Sequence, residues 1–199
     1  MSQLSITAEQ LTAILIMFNT DMTEWGKTGR RHAGDLLATI QRREGDLVIC
    51  ADGIVFRLKT ARALIQNEGA VLICGWKHMR GEDNSSLKVA GLPGGKLAED
   101  EDPRAALVRE LYEELGFSSS DFIVTGCETR KGSPVIRALP NLRAVRTDYI
   151  FTVALRPEHP YLALESFERE EHGHVALFKW IPYAEWQKRE AKRQAESQQ

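Results

Sequence analysis

The sequence predicts a mixed α/β domain over residues 46–199, preceded by a short helical extension over residues 1–45. Three observations predict it. Short apolar runs of β character follow one another in hairpins after Asp46. Helical periodicity dominates before that point. One well-capped helix interrupts the strands at residues 103–115.

In the extension, Thr7 and Gln10 have capping-box spacing, and Leu11, Ile14, Leu15 and Phe18 then recur at helical intervals. A second helix is expected over about residues 30–43, with Leu36, Leu37 and Ile40 as its stripe. Gly26-Lys27-Thr28 has the ending of a phosphate-binding P-loop, but Asp21 stands where that motif needs glycine and no strand precedes it. After Asp46, runs at 47–50 and 54–58 flank the turn Ala51-Asp52-Gly53. A second pair, 62–65 and 70–74, flanks Asn67-Glu68-Gly69. Residues 77–88 read as a polar loop. Further strands are expected at 122–125, 135–138, 149–155 and 175–180, and a charged helix from about Tyr183. Strict βαβ alternation is absent.

Apolar residues make up 43% of the 199, which is ample for a conventional core. The formal net charge of −2 argues against holding long nucleic acid, which needs a basic field. Cys50, Cys74 and Cys127 form no CxxC pair and offer neither a zinc site nor a disulfide framework. The apolar stretch at 11–18 is too short to span a bilayer and lacks the flanks of a signal peptide. The expectation is a cytoplasmic protein with no membrane partner.

The chemistry concentrates around the helix at 103–115. Asp102 is a good N-cap, Pro103 suits the first helical position, and Gly116 supplies a left-handed stop. At about 100° per residue, Ala105, Val108, Leu111 and Leu115 gather on one side, expected to pack on the sheet. Glu110, Glu113 and Glu114 are expected on the opposite side. Carboxylates at this spacing repel by a few tenths of a kcal/mol per pair, and a helix C-terminus disfavours anions further. A solvated acidic face balanced by Arg104 and Arg109 is one account. Binding of Mg²⁺ or Mn²⁺, whose charge offsets the repulsion, is the other.

The segment resembles the Nudix box, Gly-x5-Glu-x7-Arg-Glu-(apolar)-x-Glu-Glu-x-Gly-(apolar). It matches at Gly95, Glu101, Arg109, Glu110, Leu111, Glu113, Glu114, Gly116 and Phe117. With each residue type at its average usage, a chance match anywhere in the chain is on the order of one in a million. The resemblance implies a Nudix-type α/β/α sandwich around a mixed sheet. It implies metal coordination by Glu110, Glu113 and Glu114, with Gly95 and Glu101 as further ligands. Arg109 would hold the catalytic glutamate through its planar fork, which lysine cannot match. One glutamate of the set, or one from a downstream loop, would activate water. Glu168 and Glu171 are the downstream candidates, in a stretch that also reads as a solvated acidic loop. His172 and His174 suit a hard cation poorly.

The implied activity is metal-dependent cleavage of a diphosphate linkage in a nucleoside diphosphate derivative, either a nucleoside triphosphate or an NDP-sugar such as ADP-ribose. Pro93-Gly94-Gly95-Lys96 leans toward triphosphate-cleaving members, whereas Pro134 falls near, though slightly past, a position typical of ADP-sugar hydrolases. Arg80, Lys88 and Lys96 are the basic candidates for a substrate phosphate. Trp76, Lys77 and His78 fit base contacts and an ordinary loop equally well. The alternatives are removal of RNA 5′-end groups, which the balanced charge disfavours, and a non-catalytic nucleotide sensor, which the full set of glutamates disfavours. The apolar stripe of the first helix implies either cover for the sheet or a homodimer contact.

Overall fold

The computed structural model describes residues 6–27, 30–79, 91–133, 139–171 and 174–196. One long strand, β2 (Gly53–Asn67), organises it. On one edge β2 pairs antiparallel first with β1 (Asp46–Cys50), then with the short β4 (Gly94–Lys96). On its other edge it pairs in parallel with β6 (Ala144–Leu155), from Phe56↔Ala144 to Ile65↔Val153. Its last two residues enter a hairpin with β3 (Ala70–Met79). Glu68 and Gly69 turn that hairpin with φ of 45° and 80°, the pair of positive values a tight two-residue turn requires. β3 then pairs with β8 (His174–Pro182) and β8 with β7 (Ser166–Glu171), while β5 (Phe122–Gly132) borders β6. Among the described residues the sheet order is β5-β6-β2-β3-β8-β7, a mixed sheet as the resemblance implies.

Several elements differ from the sequence reading. The runs at 54–58 and 62–65 are one strand, because Lys59, Thr60 and Ala61 contain no breaker and all pair with β6, Thr60 and Ala61 with β4 as well. Residues 77–79 continue β3 instead of opening a loop. β5 and β6 extend well beyond 122–125 and 149–155. β4 has no sequence signal, since two of its three residues are glycine; neighbouring β2 imposes it. β7 was expected as an acidic loop. It alternates half-buried Phe167 and Arg169 with exposed Glu168 and Glu170, a charged edge strand that resists pairing with a further chain. The expected strand at 135–138 lies outside the described residues.

Two helical layers follow from the alternation along β2. Ala61, Ala63 and Ile65 face α3 (Pro103–Leu115) and build a core with Leu107, Leu111, Phe151 and Phe178. On the other face, Ile54 and Phe56 receive α1 (Ala8–Met17) and α2 (Ala33–Gln41). Farther along that face, Leu64 joins Val71, Ile73 and Ile181 under Trp186 of α4 (Tyr183–Glu196). This is the α/β/α sandwich.

The extension holds two separate helices. Thr7 and Gln10 form the expected reciprocal cap, at 3.2 and 2.9 Å. Leu11, Leu15 and Leu36 are almost fully buried, and Ile14 and Phe18 pack around them, so the stripe covers the sheet. Each such leucine stabilises the chain by about 1.5–3 kcal/mol. Trp25 anchors the connection between the helices by donating from Nε1 to the Pro140 carbonyl, 2.8 Å away. Leu15→Ala is therefore expected to cost about 2–5 kcal/mol. Denaturant unfolding followed by both far-ultraviolet circular dichroism and tryptophan fluorescence should show one coincident transition, shifted as a whole. A separate early transition would mean that the extension folds on its own.

Candidate functional site

The ends of α3 are set as its sequence dictates. Asp102 Oδ1 accepts from the amides of Arg104 and Ala105 at 2.9 and 3.0 Å, and Pro103 follows in the first turn. Gly116 closes the helix at φ 74°. The facing of the side chains departs from expectation. The buried stripe is Ala106, Leu107, Glu110, Leu111, Glu114 and Leu115, while Ala105 is exposed. Glu110 and Glu114 thus share the apolar face and do not oppose it, because positions three and four apart from Leu107 and Leu111 fall on one side of a helix. Only Glu113 stands at the edge, half-exposed.

Buried carboxylates need partners. Glu114 Oε2 accepts from the Gly94 amide at 2.8 Å. Glu110 accepts from Arg109 Nη1 at 2.7 Å, and the same nitrogen reaches Glu113 Oε2 at 3.2 Å. Arg109 uses its remaining donors on Glu101, at 2.8 and 3.0 Å, and on the Lys96 carbonyl, at 3.0 Å. One guanidinium therefore ties three carboxylates and the β4 backbone together. The Glu101 hydrogen bonds hold Arg109 firmly protonated, and Arg109 in turn lowers Glu101 below its ordinary carboxylate range. Glu101 also accepts from the Ala98 amide at 3.0 Å, closing the loop between β4 and α3.

Glycine at 94 and 95 is a steric requirement. A Cβ on Gly95 would lie 2.1 Å from Glu110 Oε2, and one on Gly94, at φ 129°, would lie 2.1 Å from the Ala61 carbonyl oxygen. The β2 register pairs Ala61 with Gly95 and so brings this backbone over α3.

The NUDIX domain model matches residues 56–198, well over half of the chain. The chain belongs to the NUDIX family. It is accordingly a Nudix pyrophosphohydrolase, with the box residues 95–117 forming a loop, a helix and its stop. Similar solved structures include a NUDIX hydrolase from Nitrosomonas europaea, at 17% identity and a TM-score of 0.41, covering 67% of this chain and 77% of that one. An Ap4A hydrolase from C. elegans has 16% identity and a TM-score of 0.41, covering 65% and 83%. No curated protein sequence matches.

The remaining sequence candidates divide. Lys96 Nζ lies 3.3 Å from both Thr39 Oγ1 and Glu44 Oε2, in the extension. Glu168 is exposed, and strand alternation sets it on the opposite face of β7 from Phe167, which packs with the α3 core. Arg80 and Lys88 lie outside the described residues, as does the side chain of Glu171. Sequence reasoning missed the partners of the box loop in α2 and the turn that follows it: Thr39, Arg43 and Glu44. It also missed a polar cluster on the far face of the sheet, where Asp148 receives Thr60 and, at 2.8 Å, Arg146. Arg62, paired in register with Gly94, lies 3.5 Å from the same carboxylate. Nothing in composition marks these contacts, which depend on strand register.

The donor set of the Nudix box suits a hard cation: its side chains are all carboxylates, and the Gly95 backbone passes close to Glu110. Burial, with repulsion from Glu114 and Glu113, pushes the Glu110 carboxyl up to about 7, against an opposing pull from Arg109. An excess of negative charge of this kind is what a divalent ion relieves. Among the described residues, no three such groups already converge on one point, and Arg109 stands between them as the resident cation.

The raised Glu110 carboxyl has a consequence for stability. Between pH 4.5 and about 7 the folded chain holds a proton that the unfolded chain has released, so metal-free stability falls as the pH rises through this window. At 1.36 kcal/mol per pH unit the loss is at most about 3 kcal/mol. Denaturant unfolding in EDTA at pH 5 and pH 7.5 checks this. Glu110→Gln should flatten the difference, and an unchanged slope in that variant would place the titration elsewhere.

Proposed function

We propose that this chain hydrolyses a diphosphate linkage in a nucleoside diphosphate derivative, a nucleoside triphosphate or an NDP-sugar, in a reaction that depends on Mg²⁺ or Mn²⁺. The observation that carries the reading is the clustering of Glu110, Glu113 and Glu114 around Arg109 and the Gly94–Gly95 backbone. Those three glutamates and the Gly95 carbonyl would hold the ion, which would neutralise diphosphate charge and ease deprotonation of water.

The chain's own residues supply order and a proton acceptor. Arg109 fixes Glu101, Glu110 and Glu113 in one frame, so their geometry is set before substrate arrives. The Gly94 amide does the same for Glu114. One glutamate of the set accepts the proton of the attacking water. Half-exposed Glu113 is the member of the set most open to incoming water. Water attacks one phosphorus, the bridging P–O bond breaks, and the other phosphoryl group leaves with the bridging oxygen.

Hydrolysis of dNTPs, ADP-ribose, UDP- and GDP-sugars and dinucleoside polyphosphates, with each ion and with EDTA, tests the reading. Phosphate released after pyrophosphatase or after alkaline phosphatase separates triphosphate from NDP-linked substrates. Turnover indifferent to EDTA would sink metal dependence, and silence across the panel would turn attention to RNA 5′ ends. On a positive substrate, Glu113→Gln and Glu114→Gln should each lower kcat by roughly 10²–10⁴-fold. Arg109→Lys, which keeps the charge but loses the fork, should lower kcat with little change in KM. Full activity in Arg109→Lys would remove the positioning role.

A further inference from the structure

The extension precedes the residues matched by the family model, yet the last turn of α2 touches the Nudix-box loop at three points. That turn is a left-handed helix stop. The Arg43 amide donates to the Ile40 carbonyl at 2.9 Å and the Glu44 amide to the Thr39 carbonyl at 3.1 Å, with Arg43 at φ 60°. Glycine is the residue of choice at such a position. Arginine stands there instead, and its guanidinium reaches Glu99 at 2.7 Å and Asp100 at 3.2 Å in the loop. Beside it, Glu44 and the buried Thr39 hold the Lys96 ammonium.

The contact leads to the reaction centre in two steps. The Lys96 side chain is held by α2, while its carbonyl receives Arg109, the residue that orders Glu101, Glu110 and Glu113. A cavity of about 410 Å³ lies along the same seam, lined by Ile40, Arg43, Glu44, Lys59 and Leu97 among others. Along this seam the ion pairs add to the β2–β4 backbone pairing in setting the position of the loop.

We propose that the C-terminal turn of α2 clamps the loop that carries Gly95 and Glu101, with Glu44 as the principal positioning residue for hydrolysis. The inference rests on the hydrolytic reading of that loop. Lys96 is then a tether between extension and loop, and its ammonium is not a phosphate ligand.

The test uses the full chain as Glu44→Gln, Lys96→Met, the double variant and Arg43→Gly. With the best substrate of the panel, each single variant is expected to lower kcat roughly tenfold while KM changes little. The double variant should be no slower than the worse single one, since both changes break one contact. Arg43→Gly relieves the left-handed strain, so its thermal midpoint should hold or rise while kcat falls. Hydrogen exchange provides a readout independent of turnover: amides of residues 97–101 should exchange faster in Glu44→Gln. A Lys96→Met variant that raises KM while Glu44→Gln stays silent overturns the clamp in favour of direct substrate contact. Unchanged exchange in Glu44→Gln also overturns it. A native chain that turns over nothing sinks the hydrolase reading, and the exchange result then decides the physical clamp by itself.

Discussion

Two glutamates buried on the apolar face of a helix are the constraint around which this molecule is arranged. Glu110 and Glu114 share that face with Leu107 and Leu111, where an unpartnered charge would destabilise the fold by several kcal/mol. Their partners come from outside the helix face: the Arg109 guanidinium and the Gly94 amide. Arg109 is half-exposed, so its pairs contribute order more than stability. The amide is available only because β4 is drawn against β2, and β4 can approach only because residues 94 and 95 lack side chains. Fold and site thus meet in the same few contacts.

β2 translates that arrangement to the rest of the chain. Its inward residues carry α3, its other face carries the extension and α4, and its edges hold β4 and β6. A slip of one residue along β2 would exchange the two faces and displace Gly95 from Glu110. The extension is part of the same logic. It covers Ile54 and Phe56 with apolar helices and, from its last turn, meets the loop that leads to α3.

The legible parts of the sequence were those with local causes. Asp102, Pro103 and Gly116 mark both ends of α3, and the hairpin at Glu68 and Gly69 follows from turn chemistry. The spacing of Glu110, Glu113 and Glu114 around Arg109 marks the candidate site. What escaped depends on distant neighbours. Glycine-rich β4 is a strand only because β2 lies beside it, and β7 looks like a loop until its alternation is set against β8. The facing of α3 differs from expectation because the apolar stripe centres on Leu107 and Leu111, not on Ala105 and Val108, and Arg109 and Gly94 make burial of the two carboxylates tolerable. The contacts of Lys96 escaped because Thr39 and Glu44 lie some fifty residues away in sequence.

The sharing of one helix face between core and carboxylates also sets a trade-off. A chain selected only to fold would do better with leucine or methionine at 110 and 114, since apolar groups of similar volume commonly replace buried charges at no loss. The native chain forgoes that gain. Random substitution screened for heat resistance alone should therefore drift toward apolar residues at these two positions, producing tougher proteins that have lost both carboxylates.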